Sequence, residues 1–162
     1  MTRTKTDHAP ATIEADPNVP LIRITRDFAA TPEQLFRAHT DPDLYARWVG
    51  PNDVSTVIDR WDCRTGGSFA FSNARGDESY SFHGSFHEIS PNRLVQTFTF
   101  DGWPDGVSLE TVTFTDLGDG RTRLAAQSLV ESFESRDQWL ASGMDVGVND
   151  GYAKLDTLLT EI

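Results

Sequence analysis

The sequence predicts an α+β fold in which an antiparallel sheet of about seven strands packs around a long C-terminal helix, with two short helices after the first strand. Three observations predict it. Residues 21–48 read as a strand and a helix pair, residues 53–131 alternate with a period of two between turn residues, and residues 135–161 return to helical period.

In LIRITRDF, Ile22, Ile24 and Phe28 alternate with polar neighbours, as a half-buried strand requires. TPEQLFRAHTDPDLYARW follows. Thr31 can cap, Pro32 suits the first helical position, and Leu35, Phe36 and His39 fall at helical spacing. Asp41-Pro42 restarts a second helix carrying Leu44, Tyr45 and Trp48. Gly50-Pro51 ends it, because proline cannot continue a helix and pushes the residue before it toward extended backbone. Residues 1–20 mix Thr, Pro, Ala and Asp without periodicity and predict a disordered leader, leaving 21–162 as one domain.

Six further strands are expected, approximately over Val54–Arg60, Ser68–Asn73, Ser79–Ile89, Arg93–Asp101, Ser108–Asp116 and Arg121–Glu131. Each separator, such as Arg75-Gly76-Asp77 or Gly118-Asp119-Gly120, has turn chemistry. The C-terminal stripe of Trp139, Met144, Val148, Tyr152, Leu155 and Leu159 predicts one helix, started by a capping box of Ser135 with Gln138. About 25 helical residues would reach roughly 37 Å, enough to cross a sheet. Gly143, Gly147 and Gly151 recur every fourth residue along it, each costing about 1 kcal/mol relative to Ala. Either the helix approaches its neighbours closely there or it leaves volume for a ligand.

Composition narrows the function classes. A formal net charge of -11 would repel a phosphate backbone, and no basic cluster overrides it, so nucleic acid is not an expected partner. No apolar run approaches the roughly 20 residues that span a bilayer, and the N-terminus lacks the apolar segment of a secretory signal. No membrane partner is expected, and the expected location is cytoplasmic. Cys63 is the only cysteine, which excludes an internal disulfide and a multi-thiolate metal site. His83 and His87, four residues apart on one strand, are about 13 Å from each other, too far to share an ion, and their parity points outward. No metal and no cofactor are expected.

Side chains two apart share a strand face. The bulky residues Trp61, Phe69, Phe71, Tyr80, Phe82, Phe98, Phe100, Val112 and Phe114 fall on inward faces, interrupted by Gln96, Glu110 and Ser128. A dry core seldom holds an unpaired Glu, whereas a ligand pocket is apolar with a few convergent polar groups. Glu110 is therefore either such a polar group or a strand-end residue in water or beside an Arg. The aromatic wall is likewise either pocket or packed core.

Several stretches together resemble a known family. ITRDFAATPEQLFRAHTDPDLYARWVGP, RTGGSFAF, FHGSFHEISPNRLVQTF, LGDGRTRL and SGMDVG are similar, in order and spacing, to the landmarks of the activator-of-heat-shock-protein-90-ATPase-homologue-like proteins of the START-like, or SRPBCC, superfamily. The resemblance runs from about Leu21 to Ile162. It implies a helix-grip fold, a strongly curved antiparallel sheet with two short helices and a long C-terminal helix enclosing a cavity, with Trp48 at one cavity mouth or packed against the sheet. Two departures stand out: Val49 occupies the place of a second tryptophan, and Ala30-Thr31-Pro32 replaces the commoner Ala-Pro.

The leading functional expectation is a protein that binds a small hydrophobic or aromatic molecule. Its wall would be Trp48, Trp61, Phe69, Phe71, Tyr80, Phe82, Gln96, Phe98, Phe100, Glu110, Val112, Phe114, Met144, Gly147, Val148 and Tyr152. The alternative is a cyclase- or hydrolase-type enzyme on a polyketide-like substrate, with Glu110 as acid or base, Gln96 orienting it and Tyr80 donating a proton. A third reading is an interaction protein of the co-chaperone kind. A homodimer is allowed, although no surface specifies one.

Overall fold

The computed structural model describes residues 9–162. In chain order the elements are β1 (Thr12–Ala15), β2 (Leu21–Phe28), α1 (Pro32–Thr40), α2 (Pro42–Trp48), β3 (Ser55–Trp61), β4 (Ser68–Arg75), β5 (Glu78–Ser90), β6 (Arg93–Phe100), β7 (Val107–Gly118), β8 (Arg121–Leu129), α3 (Phe133–Ala141) and α4 (Met144–Leu159). All eight strands form one antiparallel sheet in the order β1-β2-β8-β7-β6-β5-β4-β3. The helices cover its concave face, giving the helix-grip fold.

The helix pair forms as its sequence dictates. Thr31 and Gln34 make a reciprocal capping box, and Asp41 closes α1 while its carboxylate accepts from the backbone of Asp43 and Leu44 to open α2. The last turn of α1 leaves carbonyls without intrahelical partners. Two indoles satisfy them: Trp48 Nε1 donates to Ala38 O (2.9 Å) and Trp61 Nε1 donates to Thr40 O (2.8 Å).

The structure corrects two expectations about the ends. Within the expected leader, residues 12–15 form an eighth strand, pairing Thr12 with Thr25 through Ala15 with Ile22. Four residues with Ile13 as the only large apolar side chain carry too short an alternation to read as a strand. The Asp16 carboxylate accepts from the backbone of Asn18 and Val19 and turns the chain, while the Ala11 amide donates to Asn149 of α4. The remainder of the expected leader, residues 1–8, lies outside the described residues.

The single C-terminal helix is two. Gly143, at φ +85°, breaks the run between α3 and α4, a conformation that glycine adopts without steric cost. The start also moves, because Ser132 rather than Ser135 caps α3, accepting from the Ser135 amide. At 16 residues α4 is about 24 Å long. It buries Tyr152, Leu155, Leu158 and Leu159 against β2, α1 and α2.

The core lies in two clusters. One gathers Ile22, Ile24, Phe28, Leu35, Leu124 and Leu155 under the helices, and the other joins Phe69, Phe71 and Phe86 on β4 and β5. Tyr45 packs against both. One buried ion pair ties α4 to the sheet: Arg26 makes two hydrogen bonds to Asp156, at 2.7 and 2.6 Å, beneath the rings of Phe28 and Tyr152.

Candidate functional site

Between the two clusters lies a partly open cavity of about 360 Å³. The sheet register builds its floor. Ile22, Ser128, Glu110 and Gln96 stand side by side across β2, β8, β7 and β6, and Ile24, Ala126, Val112 and Leu94 form the adjoining row. All eight line the cavity, so a polar row borders an apolar one. Phe69, Phe71 and Phe82 close one side, with rings 5–6 Å apart.

Helices supply the roof. Tyr45 and Trp48 of α2 face the cavity in edge contact with each other (5.4 Å), and Tyr45 also meets Trp61 (5.1 Å) and Phe71 (5.6 Å). From α4 come Met144, Gly147, Val148 and Tyr152, and from α3 comes Trp139, which also stacks on Trp103 of the β6–β7 loop (6.3 Å). Gly147 and Gly151 serve both expected purposes. A Cβ on Gly151 would stand 3.0 Å from the Trp48 carbonyl oxygen, a close approach, whereas one on Gly147 would meet only Pro51 at 3.7 Å and take volume from the cavity wall.

Glu110 is the centre of the polar row. Its carboxylate accepts from Ser128 Oγ (3.3 Å) and Gln96 Nε2 (3.4 Å), both neutral donors at long range. Burial pushes its pKa up to about 7, only partly opposed by those two hydrogen bonds. Burial, with the nearby Glu110 charge, also raises the phenols of Tyr45 and Tyr152, and among the described residues neither hydroxyl has a hydrogen-bond partner.

His39 completes the polar set. Its Nδ1 lies 2.7 Å from Leu35 O, and since a carbonyl can only accept, Nδ1 carries the proton and Nε2 is the acceptor of the neutral ring. Burial lowers its pKa to about 4, with the Leu35 hydrogen bond working the other way. Its ring sits between Trp48 (4.9 Å) and Phe114 (5.1 Å).

The cavity thus gathers Trp48, Trp61, Phe69, Phe71, Phe82, Gln96, Phe98, Glu110, Val112, Met144, Gly147, Val148 and Tyr152 from the expected wall. Three expected residues lie elsewhere. Tyr80, near the β4–β5 turn, donates its hydroxyl to Glu78 (2.6 Å), Phe100 packs on Phe82 and Tyr80, and Phe114 is buried between His39 and Leu124. All three have the inward parity but stand past the ends of the cavity. Parity assigns a face and says nothing of position along the strand.

Sequence reasoning missed Tyr45, His39 and Trp139, which helices carry into the cavity, and Ile22, Ile24 and Leu94, which it assigned to a face but not to the wall. The signal for Tyr45 and His39 was their place at helical spacing beside Leu35, Phe36, Leu44 and Trp48. Cys63 lies outside the cavity, its thiol pushed up to about 11 by burial and the Asp62 charge. His83 and His87 are exposed, and His83 contacts Asp101 at 2.5 Å. Among the described residues no helix is long and apolar enough to cross a membrane.

The fold recurs widely among solved structures. Protein Ms6760 from Mycobacterium smegmatis is 25% identical with a TM-score of 0.83, over 94% of this chain and 99% of its own. A protein from Rhodobacter sphaeroides is 26% identical with a TM-score of 0.83, over 93% and 99%. DynU16, a putative protein in the dynemicin biosynthetic locus, is 21% identical with a TM-score of 0.64 over 87% of this chain and 47% of its own, a likeness of fold alone. None of the curated proteins matches the chain. The family model described as Activator of Hsp90 ATPase homolog 1-like protein matches residues 29–160, and the chain accordingly belongs to that family, within the START-like, or SRPBCC, superfamily.

Proposed function

We propose that this protein binds a small hydrophobic or aromatic molecule between the curved sheet and α4. The observation that carries the reading is the cavity itself: its volume, about 360 Å³, falls at the small end of the range of ligand pockets, roughly 300–1,000 Å³. Its wall is aromatic and aliphatic, with Glu110, Gln96, Ser128, Tyr45, Tyr152 and His39 converging on one space. A core built only for stability would fill such a volume, because each unfilled methyl-sized gap costs about 1 kcal/mol.

Thermal unfolding against a panel of fatty acids, flavonoids, polycyclic aromatics, polyketide-like compounds and aromatic amines tests it. A ligand at a hundredfold its dissociation constant contributes about 2.7 kcal/mol, a shift of a few degrees. A reproducible shift from one chemical class, lost on Val148→Trp, is the expected result. No shift from any class would overturn the reading.

One observation favours a second reading, turnover of the bound molecule. A carboxyl group with a pKa of about 7, held against apolar walls, suits general acid–base catalysis at neutral pH. The chemistry such a group suits is proton transfer on a bound substrate, as in a cyclisation or a hydrolysis. Mass spectrometry of each ligand that shifts the unfolding midpoint, incubated with the protein and with Glu110→Gln, separates binding from turnover.

A further inference from the structure

The cavity wall holds one acid and no base able to pair with it. Among the described lining residues Glu110 is the only carboxylate, and there is no Lys or Arg. The titratable groups facing it from the packed elements are His39 on α1, Tyr45 on α2 and Tyr152 on α4, and none carries positive charge near neutral pH. Arg26 of β2 is held by both oxygens of Asp156 and does not line the cavity. The same fold therefore contains one half-buried carboxylate with a bidentate guanidinium and another with only two long neutral contacts.

We infer that the ligand carries a compact organic cation, such as a protonated amine, which seats on Glu110 among the aromatic rings of the cavity. This rests on the binding function proposed above and names its ligand class. A purely apolar occupant would strip water from Glu110 and give nothing in return, so that the carboxyl group would have to be held protonated. A cation replaces that water with an ion pair. The rings of Tyr45, Trp48, Trp61, Phe71 and Tyr152 line the same space, where cation–π attraction strengthens when water is excluded. The net charge of -11 draws cations toward the protein and repels anions.

Isothermal calorimetry with tryptamine, tryptophol and indoleacetate tests the assignment, since the three share a ring system and end in a cation, a neutral hydroxyl donor and an anion. At pH 8 tryptamine is expected to bind at least tenfold more tightly than tryptophol, with indoleacetate weakest. At pH 5.5, where Glu110 is protonated, that advantage should fall below threefold, and Glu110→Gln should abolish it at both pH values. Circular dichroism of Glu110→Gln confirms that the variant is folded. Tryptophol binding as tightly as tryptamine, or a preference for tryptamine that survives Glu110→Gln, would overturn the cationic assignment and leave the binding function standing. Binding of neutral members of the unfolding panel with no binding of any amine would overturn it in the same way. If neither amines nor neutral molecules bind, the binding function fails and the assignment fails with it.

Discussion

Gly151 of α4 passes so close to α2 that a Cβ built on it would stand 3.0 Å from the carbonyl oxygen of Trp48. The contact fixes the helix over the tryptophan that lines the cavity roof. Gly147, one turn earlier, has only Pro51 at 3.7 Å. Helix propensity alone would reward Ala at either site by about 1 kcal/mol. Gly147→Ala is expected to stabilise by up to about that amount, whereas Gly151→Ala should show no gain and a net loss. Chemical denaturation of the two variants measures the difference.

The ion pair of Arg26 and Asp156 is the second prediction. Removing one partner leaves a buried charge without compensation, so Asp156→Ala should cost about 3–5 kcal/mol. Replacing both, as in Arg26→Met with Asp156→Leu, should recover most of that loss. Urea unfolding of the two variants checks it.

Glu110 and His39 should move stability in opposite directions with pH. Glu110 has its folded pKa raised from 4.5 to about 7, so the native state holds the proton longer than the unfolded chain does. Its contribution is full below about pH 4.5 and is lost as pH rises through 7, by up to about 3 kcal/mol, less where water enters the cavity. His39 has its folded pKa lowered from 6.5 to about 4, so its contribution is full above pH 6.5 and is lost as pH falls through 4. The two slopes offset one another between about pH 4.5 and 6.5. Glu110→Gln should therefore gain stability over wild type from pH 5 to about 7 and level off by pH 8, as followed by thermal unfolding at half-unit steps.

Cys63 should be a sluggish thiol. With its pKa near 11, the thiolate fraction at pH 8 is a hundredfold or more below that of a free cysteine, whose pKa is about 8.5. Iodoacetamide labelling of the native protein at pH 8 should be slower by that order than labelling in urea.

Much of the fold was legible because sheet periodicity is local. The six meander strands fall within three residues of their expected ends, and the inward parity of Gln96, Glu110 and Ser128 held, with the register setting the three side by side. What was not legible depends on relations between elements. The stripe from Trp139 to Leu159 keeps its helical period across Gly143, so periodicity could not reveal a break that backbone φ creates. Tyr45 and His39 enter the cavity through the angle at which two short helices cross the sheet, which no spacing along the chain encodes. Tyr80, Phe100 and Phe114 share the right face yet miss the cavity, because a cavity has ends as well as a side.

The two indole hydrogen bonds that close α1 have an optical consequence. Trp48 and Trp61 are anchored to the carbonyls of Ala38 and Thr40 with their rings on the cavity, Trp139 lines it from α3, and Trp103 stacks on Trp139. All four tryptophans of the chain thus border the cavity or touch one that does. Displacing cavity water would change the polarity around most of the intrinsic emitters at once. The protein's own emission spectrum is a gauge of whether that space is full, with no label attached.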